Sequence, residues 1–83
     1  MAFTFKLDNV LEDLELTRNA LAVRAGVRPA TLADLHEGKT KRVELPTFAK
    51  ILDALNAVAR EKGINETYTI DSIVEYTYEE GDL

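Results

Sequence analysis

The 83-residue sequence predicts a compact all-α domain of four to five helices, with a small two-stranded ribbon made from the chain ends. Three observations predict it. Apolar residues recur at three- and four-residue spacing through most of the chain. Both prolines and three of the four glycines fall where helices should begin or end. Short stretches at the two ends alternate aromatic and polar residues, the period of a half-buried strand.

The elements follow in order. Phe3, Thr4 and Phe5 alternate, and so do Tyr76, Thr77, Tyr78 and Glu79. Paired as a ribbon over the helices, they would bring all three Phe residues and at least two Tyr residues near the core. From Leu7, the positions Val10, Leu11 and Leu14 give the rhythm of an amphipathic helix. Thr17 can cap a second, short helix with its hydroxyl, and Gly26 can turn the chain sharply after it. Val27 is the natural plug between this helix and a third. Pro29 suits the first position of the third helix, whose inward face is Leu32 and Leu35 and whose end is Gly38. Pro46 is expected to open a fourth helix, about 46–62, with Phe48, Ile51, Leu52, Leu55 and Val58 as its stripe. Asp71 reads as the cap of a short helical turn through Ser72, Ile73 and Val74.

Composition excludes several classes of function. There is no cysteine, so thiolate metal sites, disulfides and a cysteine nucleophile are out. A single histidine, His36, excludes a two-histidine metal motif. No nucleophile, base and acid are anchored by a motif, and no Gly-rich phosphate loop is present, so neither an enzyme nor a cofactor is expected. No apolar run approaches the ~18 residues of a membrane span, and MAFTFKLDNV does not read as a secretory signal. A cytoplasmic protein of one domain, 1–83, is the expectation.

The formal charge of −5 is unevenly spread. Residues 1–16 hold one base against four acids, residues 44–83 three against nine. Between them, residues 17–43 hold six bases against two acids, a net +4. Affinity for a polyanion depends on the local field, so the total does not exclude one.

Two short helices joined at a Gly, with Ala at the fifth position after the cap, suggest a helix-turn-helix at about 17–37. Ala22 must be small where the next helix crosses, and the third helix then projects its first turn outward. A DNA major groove, about 12 Å wide, can receive it. The run LTRNALAVRAGVRPATLADLHEGKTKR resembles the Cro-like phage repressor, or xenobiotic-response-element, helix-turn-helix family. Leu16, Thr17, Leu21, Ala22, Gly26, Val27, Thr31, Leu32, Leu35, Gly38 and Lys39 match its pattern. The stretches LPTFAKILDALN and DSIVEY resemble its next helix and its tail. The likeness covers about residues 7–56 and 71–76. It implies a lambda-repressor-like domain, a small transcriptional regulator, and a repressor binding its double-stranded operator as a homodimer.

On that resemblance, the expected DNA contacts are Thr17, Arg18, Asn19, Arg28, Pro29, Ala30, Thr31, Asp34, Lys39, Thr40, Lys41 and Arg42. Arg18 replaces the usual Gln and would grip a phosphate more strongly. Pro29, Ala30, Ala33 and Asp34 are the outward residues of the recognition helix, and direct readout through them is thin. DNA shape and half-site spacing would supply the rest. The family's Glu near the end of this helix pairs with a base on the first helix. Here His36 stands in its place and Leu11 in the expected partner position, which makes His36 a packed or rim residue.

Two self-association surfaces are legible: Ala54, Ala57 and Val58 on the fourth helix, and the aromatic ends through Tyr76 and Tyr78. The acidic segment 64–83 offers a surface for a regulatory protein partner. The competing function is a helix-turn-helix reused to bind protein or RNA, of the antirepressor, antitoxin or inhibitor type.

Overall fold

The computed structural model describes residues 2–37, 42 and 44–78. Its elements run β1 (Ala2–Phe5), α1 (Leu7–Leu14), α2 (Arg18–Ala25), α3 (Pro29–Glu37), α4 (Leu45–Glu61), α5 (Ile70–Ile73) and β2 (Val74–Thr77). Five helices and one antiparallel strand pair make the predicted architecture.

The core is aliphatic. Leu7, Leu14, Leu21, Leu32, Leu35, Ile51, Leu55 and Ile73 are fully buried, each helix contributing at least one. Among the described residues no polar or charged residue is buried. α2 packs on α3 and α4, and α1 packs on α3 and α5. Ala22, 1% exposed, leaves the room for these close crossings that its size predicts.

Three helices stop by one device. Glu15, Gly26 and Gly63 take left-handed conformations, φ 53°, 69° and 74°, just past α1, α2 and α4. The next residue then donates its N–H back to a carbonyl in the last turn: Leu16 to Leu11 at 2.9 Å, Val27 to Ala22 at 3.1 Å, Ile64 to Ala59 at 2.8 Å. These are Schellman closures, and each places an apolar residue where it packs against the core.

The segment after α4 is held by side chains. Arg60 donates to the carbonyls of Ile64 and Glu66 and to Thr67 Oγ1. Asn56 accepts from Tyr68 N–H at 2.7 Å and donates to its carbonyl at 3.1 Å, as a neighbouring strand would. Lys62 Nζ donates to the Leu14 carbonyl, a cation at the C-terminal end of α1.

Several expectations need correction. α4 begins at Leu45 and ends at Glu61, so Pro46 occupies its second position, and Glu44 precedes the helix. The cap of α5 is Thr69, not Asp71: Thr69 and Ser72 form a reciprocal capping box, and Val74 already belongs to β2. A box satisfies two backbone N–H groups at once, which a lone Asp71 cap would not. The ribbon pairs Phe3 with Tyr76 and Phe5 with Val74, yet only part of its apolar face is covered. Phe5 packs against the core, whereas Phe3, Tyr76 and Tyr78 are 59%, 51% and 57% exposed. The ribbon overhangs the helices, and its outer aromatics meet each other, with Phe3 and Tyr76 ring centroids 5.3 Å apart. On α4, Ala54 and Val58 lie in the chain's own core, and of the expected self-association residues on that helix Ala57 alone is exposed. The expected helix end at Gly38 and the strand residue Glu79 lie outside the described residues.

Candidate nucleic-acid interface

Thr17 adopts an extended backbone and its Oγ1 accepts from Ala20 N–H at 3.0 Å. That bond satisfies one of the orphan donors at the start of α2 and leaves the hydroxyl proton free to donate. Arg18 and Asn19 follow in the first turn, both exposed. The N–H groups of this turn have no partner within the helix, the arrangement that favours an anion.

The Gly26 closure then turns the chain. Arg28 precedes α3, Pro29 opens it, and the Thr31 N–H bonds to the Arg28 carbonyl at 3.0 Å. Leu32 and Leu35 anchor α3 in the core. This anchoring decides what faces out: Arg28, Pro29, Ala30 and Asp34 are exposed, while Thr31 and Ala33 are half-buried. Leu32 and Leu35, three apart, set one face, and Ala30 and Asp34, four apart, set another. Thr17, Arg18, Asn19, Arg28, Pro29, Ala30, Thr31 and Asp34 are therefore carried by α2, α3 and the turns that open them. Arg42 is exposed beyond α3. Lys39, Thr40 and Lys41 lie outside the described residues.

Electrostatics divides the cations. Arg18, Arg28 and Arg42 make no ion pair among the described residues. Arg24, in the same basic segment, is turned to α4 and grips the Glu61 carboxylate with both guanidinium arms. That hydrogen bond holds Glu61 below the usual glutamate range and keeps Arg24 charged. Arg24 is thus a tie between helices.

His36 is a rim residue, but its partner is Asp8, not a group at position 11. Nδ1 lies 3.0 Å from Asp8 Oδ2, across α3 and α1. Leu11 is buried. The contact here thus runs between a histidine on the third helix and an acid at a different position of the first. Sequence reasoning missed Asp8, because two solvent-facing residues 28 positions apart leave no periodic signal.

The profile of the Cro/C1-type HTH DNA-binding domain matches residues 6–57, from just before α1 into the C-terminal half of α4. The chain belongs to this Cro/C1-type helix-turn-helix family. The Cro/C1-type match spans α2, α3 and the turn between them, the pair that carries the outward residues named above. It makes this chain a DNA-binding domain of the kind used by regulators, with double-stranded DNA as its partner. Cro/C1-type domains are normally non-enzymatic. Comparison with the curated proteins and with the solved structures returned no significant match. Among the described residues, no group of acids and histidines is placed to hold a metal ion, and no helix is long and apolar enough to cross a membrane.

Proposed function

We propose that this Cro/C1-type domain is a sequence-specific transcriptional regulator, a small repressor that binds its operator as a homodimer. The observation that carries the reading is the pairing of an outward-facing α3 with unpaired arginines at its flanks. Arg18 stands at the head of α2, Arg28 at the head of α3 and Arg42 beyond its end. These three arginines flank the reading helix, and in the sequence Lys39 and Lys41 fall between its end and Arg42. Thr17, Asn19, Thr31 and Thr40 add neutral donors to the phosphates, and Pro29, Ala30 and Asp34 meet the bases. Phosphate contacts of this sort position the protein, and groove contacts specify the site.

A single module of this size buries ~600–1,000 Å² on DNA, which favours two copies on two half-sites. With Ala54 and Val58 consumed by the core, the exposed aromatics Phe3, Tyr76 and Tyr78 are the surface that supports self-association.

One observation favours a second reading, in which the helix-turn-helix binds protein or RNA: the exposed first turns of α3 bear an acid and no base. The acidic segment 64–83 suits a basic protein partner in either case.

Binding to a random duplex across a salt series tests the choice. About five basic groups per subunit give a slope of log K against log salt near −4 to −5. Replacing Lys39, Lys41 and Arg42 with Glu should abolish that binding. A slope near zero, or unchanged binding by the triple variant, would favour the second reading.

A further inference from the structure

We propose that Asp34 is the specificity-determining residue of the reading helix and selects a cytosine in each DNA half-site. The inference rests on the DNA reading above and deepens it. Asp34 is exposed, and no ion pair or hydrogen bond engages its carboxylate among the described residues. Its exposed neighbours on α3's first turn are Pro29 and Ala30, and the half-buried Ala33 lies beside it, none with a polar side-chain atom. The other polar side chain of these turns, Thr31, is half-buried. The carboxylate is therefore the one exposed side-chain hydrogen-bonding head that the first turns of α3 bring to a groove.

An ionised carboxylate only accepts hydrogen bonds. On the major-groove edge, guanine presents two acceptors, thymine an acceptor and a methyl group, and adenine an acceptor beside its amino group. Cytosine alone presents an amino donor with no acceptor next to it. Against guanine or thymine, the carboxylate loses its water and meets a lone pair, close to two phosphate chains of its own sign. Discrimination here thus comes as much from rejecting wrong bases as from rewarding the right one. Ala30, one turn earlier on the same face, can touch a thymine methyl but rejects little. A bidentate base contact discriminates by roughly 5- to 150-fold, and this contact to a single amino group belongs at the low end of that range.

The test is enrichment from a random duplex library by the full chain and by Asp34→Asn and Asp34→Ala, with total affinity measured on an unselected duplex. The wild-type chain should enrich one position for cytosine. Asp34→Asn should move that position to adenine, which an amide pairs with in a bidentate manner. Asp34→Ala should lose the preference there and bind the unselected duplex more tightly, because a repelled charge is gone. If both variants keep the wild-type motif, or if Asp34→Ala binds the unselected duplex no better, Asp34 does not select the base. If the wild-type chain shows no salt-sensitive binding to any duplex, the DNA reading itself fails, and the inference with it.

Discussion

His36 Nδ1 lies 3.0 Å from Asp8 Oδ2, joining the last turn of α3 to the first turn of α1. Position 8 is in the right place for two reasons. An acid is favoured in the first turn of a helix and a potential cation in the last. The link ties the far end of the reading helix to a helix outside the helix-turn-helix. Both side chains are substantially exposed, so the contact orients α3 more than it stabilises the fold.

A double-mutant cycle with Asp8→Asn and His36→Gln should therefore return a coupling below about 1 kcal/mol in urea unfolding, shrinking further in high salt. A coupling of several kcal/mol would mean that the pair is a desolvated part of the core.

Glu15 is the one residue other than glycine in the left-handed region among those described, and it does the work that Gly26 and Gly63 do elsewhere. A side chain there costs about 1 kcal/mol. Glu15→Gly should raise stability by roughly 0.5–1 kcal/mol, read as a higher urea midpoint at unchanged slope. Gly26→Ala should lower it by about 1–2 kcal/mol, although nothing lies within 4 Å of the added carbon. If the Glu15 variant loses stability, the conformation at that position is not the one that limits it.

Tyr68 is buried, and its hydroxyl makes no hydrogen bond of good geometry. Burial, with the nearby carboxylates of Glu66 and Asp13, pushes the phenol above the ordinary tyrosine range. A folded-state pKa above the unfolded one gives stability that is complete below the unfolded value and lost as pH rises through the folded one. The wild-type chain should weaken in strong alkali, and Tyr68→Phe should remove that part of the pH dependence. At neutral pH the same variant should be neutral or slightly stabilising, since an unsatisfied hydroxyl leaves the interior. Thermal unfolding at neutral and alkaline pH checks both statements. A neutral-pH loss above about 1 kcal/mol would reveal a hydrogen bond, with Glu66 as its nearest acceptor.

Much of the local structure was readable from spacing. Thr17, Gly26 and Pro29 mark their helices because each acts within one turn of its own position. The Leu pattern from Leu7 to Leu14 buries as its period requires. The strand pairing at the ends was legible for the same reason, since alternation is a property of four or five consecutive residues. Within the candidate interface, the exposure of Arg28, Pro29, Ala30 and Asp34 follows from Leu32 and Leu35 being the apolar positions of α3.

What spacing could not decide were relations between distant segments. The alternation at Phe3 and Tyr76 says that one face of the ribbon is apolar, but not how far the helical body extends beneath it. Ala54 and Val58 could equally line an interface or a core, and only the packing of α2 on α4 chose the core. Arg24 reads as one more cation of a basic segment until α4 brings Glu61 to it.

The order of helices, the ends marked by Thr17, Gly26 and Pro29, and the exposure of Pro29, Ala30 and Asp34 on α3 were thus set by the chain alone, because propensity, capping and periodicity act over a few residues. Tertiary structure decided which cations remain free, which aromatics stay in water and which acid meets His36. Those outcomes depend on where separate elements come to rest against one another, and a one-dimensional pattern does not contain that distance.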